Sequence, residues 1–188
     1  MLTNTVPSEE QMAARFHFAN LAGQYYISGR FSALSHCLPV AGSLLHHAIE
    51  CFIKCGLIEV YSLGDLKSKA FGHSLPKLWE KFKHLSTDSS LRAHDWSITE
   101  LDKFERLRYP DLMVSHGMQV SMVHRNSEFA TLPTGPQPPF HLVIESVDQL
   151  AKAIADACGL SSAAMFSSSH PSAFHFLHLH NLHWKAPA

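Results

Sequence analysis

The sequence has no strong excess of charge of either sign and few cysteines. Its 188 residues include 15 Lys or Arg and 16 Asp or Glu, which gives a net charge of -1. No overall positive field therefore attracts nucleic acid or an anionic membrane, and any such contact must come from a local patch. The cysteines contain no Cys-x-x-Cys pair, which excludes a zinc site of that kind. We expect all four to be reduced and buried: Cys37, Cys51, Cys55 and Cys158.

Long apolar runs are also absent. No stretch approaches the roughly 18 to 20 uninterrupted apolar residues of a membrane helix. The first residues, Met1 to Glu10, have neither the basic nor the apolar region of a secretion signal. We therefore expect a soluble, cytoplasmic protein with no membrane contact. The length suits one domain, and the 46% of hydrophobic residues supplies one core.

The common motifs of catalysis are missing as well. The chain contains no Walker loop, no Gly-x-Gly-x-x-Gly, no nucleophile elbow around a serine and no His-Glu-x-x-His. No cofactor and no metal site are predicted. Histidine is abundant, with 15 residues, as many as Lys and Arg together. Because imidazole serves both acid-base chemistry and metal binding, this excess raises the question of whether one site collects several histidines.

Capping boxes and the helical spacing of apolar residues predict five helices. The boxes begin at Ser8, Ser97 and Ser146, each with Glu or Gln three residues later. Pro39 and Pro76 mark the first turns of the other two helices, and a loop is predicted across 64–72. The predicted fold class is all-α, a five-helix up-and-down bundle over residues 1–159. An extended or hairpin insertion is predicted at about 111–145, and a Ser/Ala linker with a tail rich in His and aromatic residues at 160–188.

Three short motifs occur in the order found in one known family. Helix two contains Ala48-x-Glu50 with Lys54 four residues later, and the following loop reads Gly-His-Ser-Leu at 72–75. Helix four ends in Arg-Tyr-Pro-Asp at 108–111. Over roughly residues 9–158 the chain resembles the HEPN domain family.

The resemblance implies a small helical bundle that commonly forms a homodimer. Members of the family include RNA-cleaving toxins, partners of minimal nucleotidyltransferases, and accessory modules that bind nucleotides or RNA. In the nuclease members, an Arg followed four to six residues later by His lies on a late helix. Two such motifs meet across the dimer, polarise a phosphate and move the proton of the attacking 2'-hydroxyl.

This nuclease motif is missing from the late helices of the chain. Arg30 and His36 have the spacing but lie at the end of helix one, whereas Arg108 and His116 have seven residues between them and straddle Pro110. We therefore predict a non-catalytic module that binds a nucleotide, an RNA or a protein partner such as a nucleotidyltransferase. The alternatives are a metal-independent endoribonuclease of toxin type with an unrecognised Arg and His pair, and a structural subunit of a larger complex.

Two groups of residues are candidate binding sites. The first is a phosphate groove in which cations of helices three and four join an aromatic ring for stacking: Lys77, Lys81, Lys103, Arg106, Arg108 and Tyr109. The second is a cleft formed by Glu50, Lys54, His73 and His116. Simpler interpretations stay open. The groove cations belong to a mixed, solvated surface, Glu50 and Lys54 form an exposed ion pair, and His73 satisfies an amide at the start of helix three.

Several other histidines fall in helix two and in the tail. His46 and His47 are neighbours on a helix, so at most one of them faces the core. Five more lie in the tail among aromatic residues: His170, His175, His178, His180 and His183. Three interpretations of the tail stay open: it packs against the body or a second subunit, it is disordered, or it holds an adventitious metal ion.

Overall fold

A computed structural model of the chain describes residues 7–68, 71–108, 114, 120–132, 139–166 and 169–184. These residues are mainly helical and include one small sheet of two strands, which confirms the mainly helical class predicted from the sequence. Within these ranges, no helix is both long and apolar enough to cross a bilayer.

Two long helices form the centre of the fold. Helix α1 spans Glu9–Leu34 and helix α2 spans Leu38–Leu57, and the short connection makes the two antiparallel. The predicted capping box is present, because the Ser8 hydroxyl accepts from the Gln11 amide and the Gln11 side chain accepts from the Ser8 amide. The wide apolar face of α2 is central, and its largest apolar side chains are fully buried: Leu45, Ile49, Phe52, Ile53 and Leu57.

Shorter helices surround α2. Helix α3 spans Leu63–Lys67 and helix α4 spans Leu75–Ser86. A 3₁₀ segment (Ser89–His94) leads into α5 (Asp95–Lys103), and a second 3₁₀ segment (Phe104–Arg108) follows directly. Helix α2 contacts α4, α5 and the second 3₁₀ segment.

The second 3₁₀ segment approaches α2 closely at a glycine. A Cβ atom at Gly42 would lie 1.9 Å from Cδ1 of Phe104, whose ring is fully buried. Because Gly42 has no side chain, the Phe104 ring can pack directly against α2. This contact places the residues that follow Phe104 beside the polar face of α2.

The predicted loop before helix three and the predicted start of helix four need correction. The segment expected to be a loop across 64–72 contains α3, which begins with a capping box between Ser62 and Asp65. The amide of Leu75, at the start of α4, donates to the Asp102 carboxylate at 2.8 Å. The predicted capping box at Ser97 is wrong, because the preceding 3₁₀ segment carries the chain into α5 at Asp95.

The insertion contains a parallel pair of strands rather than a hairpin. Strand β1 (Val120–Val123) pairs in parallel with strand β2 (Phe140–Val143), and helix α6 (Asn126–Ala130) lies in their connection. The hairpin alternative is therefore wrong. Parallel strands need a crossover longer than a tight turn, and the chain between β1 and β2, which includes α6, supplies that length.

Helix α7 spans Ile144–Ala157 and begins directly after β2. The capping box predicted at Ser146 is wrong, because the Ser146 hydroxyl bonds to the Asn126 side chain instead. The predicted end is confirmed, since Gly159 follows the helix with φ of 63°, a conformation that glycine adopts without strain.

The tail packs against the body. It contains α8 (Ser162–Phe166), a 3₁₀ segment (Pro171–Ala173) and α9 (Phe174–His178). Helices α8 and α9 both contact α1, and Leu177 and Trp184 are buried. For residues 169–184, packing is therefore the interpretation that the structure supports.

The cysteines are free and differ in burial. Cys55 and Cys158 are buried and Cys51 is half-buried, whereas Cys37 is exposed at the start of α2. The expectation of four buried cysteines is therefore wrong for Cys37, which lies in the turn between α1 and α2.

Candidate functional site

A cluster of ionisable side chains surrounds Glu50 on α2. Glu50 is 5% exposed and Lys54, one helical turn further, is 9% exposed. Lys54 Nζ donates to Glu50 Oε1 at 2.6 Å, and His73 Nδ1 lies 3.1 Å from the same oxygen. The other carboxylate oxygen of Glu50 lies 3.6 Å from Nδ1 of His47. The helix thus presents an acid and a base one turn apart, and the loop before α4 adds an imidazole.

Glu50 is held in its ionised form. Burial by itself raises the pKa of a carboxyl group. The bonds from His47, Lys54 and His73, together with the charge of Lys54, outweigh burial and lower the pKa of Glu50 from 4.5 to about 2. A buried carboxylate therefore keeps the Lys54 ammonium and the His73 ring in place.

His46 is the inward-facing member of the adjacent pair, and His47 is partly exposed, as the helical geometry predicts. His46 Nδ1 lies 3.1 Å from the carbonyl oxygen of Leu101, which can only accept, so Nδ1 carries the proton. The other ring nitrogen, Nε2, lies 3.6 Å from a carboxylate oxygen of Glu105 and 3.8 Å from one of Glu50. Burial lowers the pKa of His46 below 6.5 despite these two acids.

A cavity of about 280 Å³ opens beside Glu50. We call it the Lys54 cleft and define it by its polar and aromatic lining together with one glycine: Phe18, Lys54, Lys67, Gly72 and His73. Two leucines of α3 complete the wall. Four parts of the chain thus meet here, namely α1, α2, α3 and the turn before α4.

Two larger cavities in the described ranges have a different charge. The first, of about 440 Å³, is lined by Glu59, Asp88 and Asp156. The second, of about 320 Å³, combines Glu80 and Asp88 with basic side chains. Carboxylates repel anionic ligands, and of these three cavities the Lys54 cleft is lined by lysines without a carboxylate.

The structure brings together three of the four residues of the predicted cleft. Glu50, Lys54 and His73 are in direct contact, and His116 lies outside the described residues. The exposed ion pair that the sequence allowed for Glu50 and Lys54 is wrong, because other elements cover this part of α2. His73 bonds to Glu50, and the first amide of α4 is satisfied by Asp102 instead.

The structure describes only some of the residues of the predicted phosphate groove. Lys77 and Arg106 are exposed on α4 and on the second 3₁₀ segment. Lys81 Nζ lies 4.7 Å from the centre of the Phe71 ring, and Lys103 donates to Glu100 at 2.6 Å. Tyr109 and the side chain of Arg108 lie outside the described residues.

Arg30, which the sequence pairs with His36, is occupied by structural contacts. Its guanidinium bonds to the Asp148 carboxylate and to the carbonyl oxygens of Phe176 and Leu179. Arg30 is fully buried, whereas His36 is exposed in the turn after α1. This arginine therefore has no access to a substrate.

Tyr26 extends the buried network around Arg30. Its hydroxyl donates to Asp148 at 2.5 Å and accepts from the side-chain amide of Asn181 at 3.1 Å. Burial, followed by the charge of Asp148, raises the pKa of Tyr26 well above its usual value of 10.0. The hydroxyl is therefore protonated and able to donate.

Sequence reasoning missed three residues of these sites: Phe18, Lys67 and Glu105. One signal was available, because Ser62 and Asp65 form a capping box that places Lys67 on a short helix. For Phe18 and Glu105 no local pattern existed, since only tertiary packing brings them to α2.

Comparison with family models, with curated proteins and with solved structures found no match for this chain.

Proposed function

We propose that the chain is an HEPN-like helical bundle that acts as a non-catalytic binding module, and that its ligand is a nucleotide or an RNA phosphate bound in the Lys54 cleft. The observation that supports this proposal is the contact of the buried Glu50 and Lys54 with the exposed His73, beside a cavity that a further exposed lysine, Lys67, also lines. These residues belong to the motifs on which the resemblance to the HEPN family rests.

The charges of the Lys54 cleft suit an anion. Lys54 and Lys67 both line the cavity, and the neighbouring carboxylate, Glu50, is not among the lining residues and is already bonded to Lys54. The Lys54 ammonium has three donors, so it can bond to Glu50 and to a phosphate oxygen at the same time.

The size of the cleft suits a single nucleotide, whereas a long nucleic-acid strand would need an extended groove. Its volume of about 280 Å³ lies near the lower end of small-molecule sites, which begin at roughly 300 Å³. Phe18 is half-buried at the wall and presents aromatic surface. A base stacked on such a ring gains about 1–3 kcal/mol, which would complement the phosphate contacts.

A non-catalytic role agrees with the position of Arg30. The only Arg and His pair with the nuclease spacing that the sequence analysis identified has its arginine buried against Asp148 and the tail. The homodimer that the resemblance implies stays a prediction, which sedimentation equilibrium of the full chain can test.

Charge reversal tests the Lys54 cleft. We expect Lys67→Glu to weaken the binding of ATP or of a short single-stranded RNA about tenfold or more, because it replaces an attraction by a repulsion at the cavity wall. Isothermal titration calorimetry measures the affinity, which should also fall as salt is added. The matched control is Lys77→Glu, which reverses another exposed lysine, on α4.

Three outcomes would contradict the proposal. If Lys77→Glu weakens binding and Lys67→Glu does not, the ligand lies in the predicted groove instead of the cleft. If neither ATP nor RNA binds to the natural chain, the cleft has another role. If the chain cleaves the RNA in the presence of EDTA, and His36→Ala or His116→Ala abolishes that cleavage, the endoribonuclease alternative is correct.

A further inference from the structure

The His46 ring has a buried nitrogen with no bonding partner. His46 is fully buried, and its Nδ1–H donates to the Leu101 carbonyl oxygen at 3.1 Å. In the neutral ring, Nε2 then carries a lone pair and can only accept. Among the described residues, Nε2 has no hydrogen-bond partner. A buried polar atom without a partner costs about 1–3 kcal/mol, so this arrangement needs an explanation.

The atoms that face Nε2 are acceptors as well. A carboxylate oxygen of Glu105 lies 3.6 Å from it, and one of Glu50 lies 3.8 Å away. His46 Nε2 and the two carboxylate oxygens are thus three acceptors close together. A cation bound between them would give each acceptor a partner.

A second imidazole completes the group. One ligand atom from each of His46, His47 and Glu105 can be chosen so that all three lie within 4.8 Å of one another. Zinc bonds to nitrogen and oxygen of about 2.0–2.2 Å in tetrahedral geometry place two ligand atoms roughly 3.4 Å apart. The distance of 3.6 Å between His46 Nε2 and the Glu105 carboxylate oxygen is thus close to the separation of two ligand atoms on one zinc ion.

We propose that His46, His47 and Glu105 bind a divalent transition-metal ion, of which Zn²⁺ is the best match. Two imidazoles and one carboxylate are a common zinc ligand set, and nitrogen ligands disfavour Mg²⁺ and Ca²⁺. The Leu101 carbonyl fixes the orientation and tautomer of His46, as outer partners of metal-binding histidines do. Glu50 adds a negative charge beside both rings.

The metal site would join two elements that are separate in the sequence. His46 and His47 belong to α2, and Glu105 belongs to the second 3₁₀ segment, which Gly42 and Phe104 already hold against α2. The proposal does not depend on the nucleotide-binding function, because its three ligands are not part of the Lys54 cleft. A failure of one proposal therefore leaves the other intact.

Zinc binding to the full chain tests the proposal. The protein is first treated with EDTA, and Zn²⁺ is then titrated with calorimetry while native mass spectrometry counts the bound ions. The control variant is His175→Ala/His180→Ala, which removes two exposed imidazoles of the tail. We expect one Zn²⁺ per chain in both proteins and at least about tenfold weaker binding in His47→Ala and in Glu105→Gln, each of which loses one ligand.

Two results would overturn the proposal. If the tail variant binds no zinc, the natural chain carries an adventitious ion only. If Zn²⁺ binds to His47→Ala and Glu105→Gln as tightly as to the natural chain, the ligands lie elsewhere. Circular dichroism checks that both single variants are folded. Should they unfold, X-ray absorption of the zinc-loaded tail variant decides, since two imidazole ligands support the proposal and none contradicts it.

Discussion

At the scale of single residues, burial and bonding act on Glu50 in opposite directions. Burial disfavours the charged carboxylate, whereas Lys54, His47 and His73 stabilise it, and the second effect is larger. A carboxyl group whose pKa is lower in the folded state stabilises the fold above its unfolded pKa of 4.5. That stabilisation is lost as the pH falls towards the folded pKa of about 2.

The pH dependence of stability should therefore change when Glu50 is neutralised. The difference between the two pKa values corresponds to about 3 kcal/mol at neutral pH, of which about 2 kcal/mol is lost between roughly pH 5 and pH 3. We expect Glu50→Gln to remove about this much of the fall in unfolding free energy, measured by urea denaturation at both pH values. The control is Glu9→Gln, an exposed glutamate in the first turn of α1. An unchanged pH profile in Glu50→Gln would contradict the interpretation.

At the scale of elements, close contacts decide where the short segments lie. The second 3₁₀ segment rests on α2 where Gly42 meets the Phe104 ring. Alanine at position 42 would gain about 1 kcal/mol of helix propensity. Its Cβ would, however, lie 1.9 Å from an atom of a fully buried ring, so Phe104 or the segment that carries it must move.

We expect Gly42→Ala to destabilise the protein by about 1–3 kcal/mol, because overpacking in a filled core outweighs the gain in propensity. Thermal and urea unfolding measure the effect. Gly64→Ala on α3 is the matched control, since a Cβ there would meet only the Ser62 hydroxyl, at 3.6 Å. A Gly42→Ala protein at least as stable as Gly64→Ala would show that the segment adapts without cost.

At the scale of the whole molecule, one buried arginine connects α1 to α7 and to the tail. Arg30 of α1 bonds to Asp148 of α7 and to two carbonyl oxygens of the tail. Tyr26 and Asn181 extend the same network. The tail is therefore held by polar contacts as well as by the burial of Leu177 and Trp184.

Replacement of this arginine should release the tail. We expect Arg30→Met to lower the free energy of unfolding by about 3–5 kcal/mol, because Asp148 is left buried without its cation. Urea denaturation measures the loss, and limited proteolysis should detect faster cleavage within 169–184. Arg92→Met, at an exposed arginine, is the control. The double variant Arg30→Met/Asp148→Leu should recover part of the loss, and equal stability of Arg30→Met and Arg92→Met would contradict this role.

Helices were predicted well where one strong local signal was present. The capping box at Ser8, the prolines at the starts of α2 and α4, and the glycine after α7 each act within a few residues. The boxes at Ser97 and Ser146 failed because the preceding segments, a 3₁₀ turn and a strand, lead directly into the helices. The parallel pairing of β1 and β2 was also missed, since alternating residues indicate a strand but not its partner's direction.

The sequence by itself determined the helical class, the central place of α2 and the one-turn spacing of Glu50 and Lys54, because spacing along a helix is a local property. The grouping of His73 with them was a prediction about residues 23 apart in the chain. Only the tertiary structure decided that Glu50 and Lys54 are buried, that Phe18 and Lys67 line a cleft beside them, and that Glu105 faces His46. These contacts join residues far apart in the chain, and their burial depends on how whole elements pack. The chemistry of both proposed sites arises from that packing, since it removes water from charged groups and brings their partners within reach.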